Sequence, residues 1–122
     1  MKHRSQGRKF GRVRSQRRAL VKTLMGSLIE YEKITTTEAK AKELKARIDR
    51  IISLAKNISD EKKKVSTLRT LGRRLPKIAL NKLLQEDFRK RFEKRSSGFT
   101  RVVKLTARKS DSAKMAVIEF VD

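Results

Sequence analysis

A chain of 122 residues carries 34 Lys and Arg against 13 acids, a formal net charge of +21. The length fits one domain with one modest core, and the charge far exceeds what solubility needs, which implies a polyanionic partner. The absence of Cys excludes a disulfide framework, a thiolate zinc site and a Cys nucleophile, and no apolar run approaches the roughly 20 residues of a membrane helix.

The first stretch, Met1 to Arg18, holds eight cations and no acid; the first acid of the chain is Glu30. Its only large apolar residues are Met1, Phe10 and Val13, so it cannot offset its own ordering entropy by packing. Like charges in one block repel and stay extended until a counter-charge arrives. Residues 1–14 therefore read as an extended basic arm, with a single domain over residues 15–122. An Arg-rich, acid-free N-terminus also describes an organellar transit peptide, but those are amphipathic, and this stretch has almost no apolar face before Leu20.

Ser15 is placed to cap a first helix, whose apolar face is read as Leu20, Leu24, Leu28 and Tyr31. Arg17, Arg18 and Lys22 extend the charge of the arm into it. Lys33 to Thr37 is short and β-branched, a strand. A second helix follows, with Ala41, Leu44, Ile48, Ile51, Ile52 and Ala55 in a 3.6-residue period. Lys40, Lys42, Lys45, Arg47 and Arg50 fill the rest of its circumference. Ser59 with Asp60 and Glu61 starts a third helix that Gly72 closes, leaving Arg73 and Arg74 at the corner. Pro76 suits the first turn of a fourth, with Ile78, Leu80, Leu83, Leu84, Phe88 and Phe92 on its apolar side. After Ser96-Ser97-Gly98 the period changes to 2, and residues 101–108 and 115–121 form a hairpin. The expected fold is α+β in two layers, in the order helix-strand-helix-helix-helix-strand-strand, with a small mixed sheet against helices.

Chemistry finds little purchase here. The only His is His3, inside the basic arm and without an orienting partner nearby in sequence, so it reads as a phosphate or sugar contact rather than a general base. Asp60-Glu61 and Glu86-Asp87 are neighbours on helices and do not share a face. Gly7 and Gly11 lack the GK[ST] of a phosphate loop. No catalytic residue, metal site or cofactor is expected. Phe10 and Phe99 each lie beside cations and could stack on a base or pack on the body; the sequence does not choose between these.

Several separated stretches, in order, resemble one family. They are Met1-Lys2-His3-Arg4, Gly7-Arg8-Lys9, Gly26-Ser27-Leu28, Ile34-Thr35-Thr36-Thr37 running into Lys40-Ala41-Lys42-Glu43-Leu44, Gly98-Phe99-Thr100-Arg101, and Met115 to Val121. Together they resemble the bacterial large-subunit ribosomal protein seventeen family over essentially the full chain. Four positions depart from the family's habit: Ser15-Gln16-Arg17-Arg18 lacks the usual His, Ser97 and Phe99 stand in place of Gly and Tyr, and Ser110 rather than Gly precedes Asp111. The resemblance implies a non-catalytic constituent of the large ribosomal subunit, with large-subunit rRNA and neighbouring ribosomal proteins as partners. It further implies a cytoplasmic, ribosomal location (an organellar ribosome fits less well), with no membrane and no small-molecule substrate. The RNA-binding residues expected are Lys2, His3, Arg4, Arg8, Lys9, Arg12, Arg14, Arg17, Arg18 and Lys22, then Arg73 and Arg74 at the corner and Arg101, Lys104 and Arg108 on the hairpin. The rival reading is a nucleoid-associated or transcription-regulating DNA-binding protein, with the first helix in a groove.

Overall fold

The computed structural model describes residues 7–121, so Lys2, His3 and Arg4 lie outside the described residues. Its order is α1 (Arg14–Tyr31), β1 (Lys33–Thr37), α2 (Glu38–Ala55), a 3₁₀ turn (Lys56–Ser59), α3 (Glu61–Arg74), α4 (Lys77–Leu83), α5 (Glu86–Lys90), β2 (Thr100–Lys104) and β3 (Met115–Phe120). The expected α+β order holds. The sheet, however, is antiparallel throughout rather than mixed: β3 lies between β1 and β2, with Ile34 opposite Ile118 and Val102 opposite Ile118. A returning C-terminal hairpin supplies both β2 and β3, so β1 meets the strand that runs against it.

The core is built on α2. Ala41, Leu44, Ile48, Ile51, Ile52 and Ala55 are all at most 2% exposed, as the 3.6-residue period requires. They pack against the inner face of the sheet, where Ala116, Ile118 and Phe120 are buried, and against α1 and α3. On α1 the buried face is Val21, Met25, Gly26, Leu28 and Ile29. That corrects the expected stripe: Tyr31 is 68% exposed. The helix ends at Tyr31 because Glu32 turns left-handed, with φ 64°, while its N–H donates to the Leu28 carbonyl. A non-glycine residue there costs about 1 kcal/mol. The Glu32 carboxylate also holds Lys82 at 3.5 Å and Arg91, contacts that tie this turn to α4 and the segment after α5.

Three helix boundaries differ from expectation. The residue at the N-cap of α1 is Val13, not Ser15, and it gives no side-chain cap. Asp60 rather than Ser59 caps α3, accepting from the Lys62 N–H at 3.0 Å. Gly72 does not end α3, which runs on to Arg74; Leu75, driven extended by Pro76 (φ −126°, ψ 148°), is what stops it. The expected fourth helix is divided in two. Leu83 and Phe88 are both buried, yet five residues along one helix would set them about 140° apart. An extended Gln85 resets the phase, and Glu86 and Asp87 open a new first turn.

Four of the five Phe then close the C-terminal half. Phe88–Phe92, Phe88–Phe120 and Phe92–Phe99 meet edge to face at 5.4, 5.3 and 5.6 Å. Such pairs add about 0.5–1.5 kcal/mol each beyond their burial. Phe99 is 0% exposed, with the Lys56 ammonium 4.7 Å above its ring. It is a core residue and not a base-stacking one. Its N–H donates to Asp49 at 3.2 Å, fastening the strand entry to α2.

Gly26 is where α1 meets the corner before α4. A Cβ there would lie 2.6 Å from Pro76 Cγ. In an open helix, Gly to Ala gains roughly 1 kcal/mol. Here Gly26→Ala is expected to destabilise instead, by about 1–3 kcal/mol of overpacking, read as a lowered urea midpoint with an unchanged m-value.

The hairpin tip is organised by Asp111. Arg108 donates to both its oxygens, at 3.0 and 2.7 Å, and the Ala113 N–H donates at 3.1 Å. The Arg108 hydrogen bonds first, then the Ala113 N–H, lower the carboxyl from 3.8 to about 2. A carboxyl depressed on folding supports the tip above its ordinary value, and that support is lost as pH falls through the folded value. In an acid titration followed by NMR, the Ala113 amide should therefore shift with a midpoint near 2. Asp111→Asn should abolish that shift; a midpoint near the ordinary carboxylate value would contradict the geometry.

Candidate nucleic-acid interface

The expected binding residues fall into three sets. The described part of the arm is Gly7 to Val13. It turns at Phe10 and Gly11, both with positive φ, and the Arg12 N–H donates to the Lys9 carbonyl at 3.1 Å. Arg8 reaches Glu43 on α2 at 3.4 Å, Arg12 donates to the Phe10 carbonyl and Arg17 to the Arg12 carbonyl. These contacts set the direction in which the chain enters α1. Phe10 is half-buried, while Lys9 and Arg14 are exposed.

The second set comes together. Arg18 and Lys22 on α1, and Arg73 and Arg74 on α3, line one groove of about 670 Å³. From α2, Arg47 and Arg50 join them, so six cations converge from three helices. The remaining lining residues are Ala19, Val21, Met25, Ile51 and Thr70, and none is acidic. Arg47 pairs with Glu43 at 3.2 Å. Arg18, Lys22, Arg50, Arg73 and Arg74 have no carboxylate within ion-pair distance among the described residues. The placement follows from the fold. Ile48 and Ile51 are drawn into the core, which leaves Arg47 at the boundary of α2 where α1 and α3 flank it, and Arg50, farther round the helix, also lines the groove. Unbalanced cations held this close repel one another, and an anion in the groove relieves that repulsion.

The third set is already engaged. Arg101 pairs with Glu119 at 2.6 Å, Lys104 with Glu38 at 3.6 Å, and Arg108 with Asp111. The Lys42 hydrogen bond lowers the Glu38 carboxyl, and the charges of Lys42, Lys104 and Lys114 add to the effect. None of the hairpin cations lines the groove.

Arg47 and Arg50 are the groove residues that the sequence reading left among the solvated arc of α2. Their signal was partial: Arg47 borders the apolar stripe, whereas Arg50 falls nearly opposite it on the helix. What the sequence lacks is the crossing of the helices, which brings α1 and α3 alongside that border. Among the described residues no cluster of His, Asp and Glu could hold a metal ion.

Comparison with known proteins bears on the same chain. The model of the family described as ribosomal protein L17 matches residues 20–121. A large ribosomal subunit protein bL17 from Pelagibacter ubique is 42% identical over 122 residues, covering 100% of this chain and 81% of that protein. The protein of the same name from Thermodesulfovibrio yellowstonii is 43% identical over 122 residues, covering 100% and 88%. A third, from Sorangium cellulosum, is 35% identical, covering 100% and 84%. The match extends through α1, α2 and the closing hairpin, the elements that build the groove and the core, and the chain belongs to the ribosomal protein L17 family.

Proposed function

We propose that this chain is a structural constituent of the large ribosomal subunit, binding large-subunit rRNA through the groove between α1, α2 and α3 and through its basic N-terminal arm. The observation that carries the reading is the convergence of Arg18, Lys22, Arg47, Arg50, Arg73 and Arg74 on one acid-free surface, in a member of a ribosomal protein family. The mechanism is charge neutralisation with shape fit: cations displace the counterions of the phosphate backbone, and the rigid helices fix where they do so. Residues 1–14 act as an arm beside the domain of residues 15–122. Lys2, His3, Arg4, Arg8, Lys9, Arg12 and Arg14 supply its contacts, joined by Arg17 in the first turn of α1. Arg101, Lys104 and Arg108 rank below these, because each would first give up a carboxylate.

On this reading the protein resides on the ribosome in the cytoplasm, beside rRNA and neighbouring ribosomal proteins. Among the described residues no helix is long and apolar enough to cross a membrane. A ribosomal protein of this kind is a structural component, so no catalytic residue, cofactor or small-molecule substrate is assigned.

Replacing Arg18, Arg50 and Arg73 together by Gln tests the groove. All three are exposed and unpaired among the described residues, so the fold should persist by circular dichroism. Each lost phosphate contact lowers the slope of log K against log salt by about 0.7–0.9, so the triple variant should lose roughly 2–3 from the slope with structured RNA. The pair Arg101→Gln and Lys104→Gln should change it by less than about 1. A triple variant with the parental slope removes the groove from the RNA interface. Preferential displacement by duplex DNA over structured RNA at equal salt would favour a DNA-binding protein instead.

A further inference from the structure

The sheet has two faces, and α2 covers one of them. Ala116, Ile118 and Phe120 point into the core, so Met115, Val117 and Glu119 point the other way. The strand register carries this outer face across all three strands. One row is Thr35, Val117 and Val103. The next is Thr37, Met115 and Leu105, whose N–H donates to the Met115 carbonyl at 2.9 Å. A sheet with one wet face normally alternates apolar inward and polar outward. Here the six outward positions of these rows hold four large apolar residues and no charge, in a chain of which 39% is charged. Val103 and Leu105 keep 47% and 45% of their surface exposed. Val65 on α3 and Ile78 on α4 are exposed as well, but each stands alone on its helix. Single exposed apolar residues are ordinary, whereas a contiguous patch marks a surface that meets another molecule.

We propose that the outer face of the sheet docks an extended apolar segment of a neighbouring large-subunit protein, seated on Val103, Leu105, Met115 and Val117 with a carboxylate at the Lys33–Arg101 end. The inference rests on the proposed function, which sets other ribosomal proteins beside this chain, and adds the surface that meets one. Charge selects the occupant. The row that ends the patch is Lys33 and Arg101 around Glu119, paired at 3.8 and 2.6 Å. The apolar rows carry no charge, so a phosphate backbone finds there none of the unbalanced field of the groove. A second copy brings another net charge of +21, which opposes self-association. Two cations around one acid are instead complementary to a single incoming carboxylate. Size selects the shape. Strands about 4.8 Å apart and outward residues about 7 Å apart along each give a patch of roughly 10 by 7 Å between Cα atoms. That is the footprint of a few extended residues rather than of a globular domain. None of the patch residues lines the basic groove, so RNA and protein are held by separate surfaces at once.

The test places a photoreactive benzophenone side chain at Val103 of the full chain, assembles it into large subunits, irradiates them and sequences the attached peptide. The expected product joins Val103 to a stretch of another subunit protein that holds apolar residues and an Asp or Glu. A product with RNA, a product of two copies of this chain, or no product overturns the inference while the proposed function stands. A chain that does not enter subunits at all sinks the proposed function itself. Val103→Glu supplies the second reading, because it sets a carboxylate on the apolar patch and leaves every cation in place. Mixed equally with the parental chain during assembly, it should be recovered in subunits at about one tenth of the parental amount. Its affinity for isolated structured RNA should stay within about twofold of the parental value. Equal recovery of the two chains, or an equal loss of affinity for the isolated RNA, overturns the inference.

Discussion

The burial of one face of α2 is the constraint on which the rest of the structure depends. Six residues of that helix, from Ala41 to Ala55, give up almost all their exposure. At roughly 25 cal/mol per Å² of apolar surface, such burial is the main term opposing the cost of ordering a chain this short and this charged. It also leaves no freedom in where the polar residues go. Once Ile48, Ile51 and Ile52 face inward, Arg47 is committed to the border that α1 and α3 approach, with Arg50 farther round the helix but still lining the groove. The basic groove is therefore a consequence of how the core is filled.

The cations divide into two kinds by what surrounds them. On the hairpin and the start of α2, acids are interleaved: Glu119 sits between Lys33 and Arg101, and Glu38 between Lys42 and Lys104. Exposed pairs of this sort contribute little to stability, but they cancel the field locally. In the groove only Arg47 has a carboxylate partner, Glu43, and the field of the other cations adds up. This contrast, rather than the total charge, distinguishes a surface that awaits an anion from one that is merely solvated. It also explains why Arg101 and Lys104 looked equivalent to Arg73 and Arg74 in the sequence. Their carboxylate partners lie 18 residues away for Arg101 and on the opposite side of the sheet order for Lys104.

How much was legible can be seen in particular elements. α2 was legible because its period is regular and its apolar residues are large. The strand face Ala116, Ile118, Phe120 was legible because alternation has one meaning in a half-buried sheet. α1 was not, since Leu20, Val21, Leu24, Met25, Leu28 and Ile29 offer two overlapping stripes. The choice between them is made by Gly26 against Pro76, a contact 50 residues distant. The break at Gln85 was hidden for a similar reason. Only the demand that Phe88 and Phe92 reach Phe99 and Phe120 forces the helix to restart. In the site, the charge of each residue was readable, but convergence was not, because it is a property of three helix axes.

The same arrangement links binding to folding. Of the 14 residues of α3, only Thr67 and Leu71 are buried, and its exposed face carries Lys62, Lys63, Lys64, Arg69, Arg73 and Arg74. A helix with so little apolar burial depends for its position on its contacts with the 3₁₀ turn, α2 and α4 and on Asp60 at its cap. Repulsion across the groove disfavours α3 beside Arg18 and Arg50, and on the proposed function a phosphate between them would offset it. Whatever binds the native groove and not the unfolded chain adds RT ln(1 + [L]/Kd) to stability, and that gain falls first on the element held least firmly. On the proposed function, the cations of α3 weaken the free fold at the place where a bound phosphate would stabilise it.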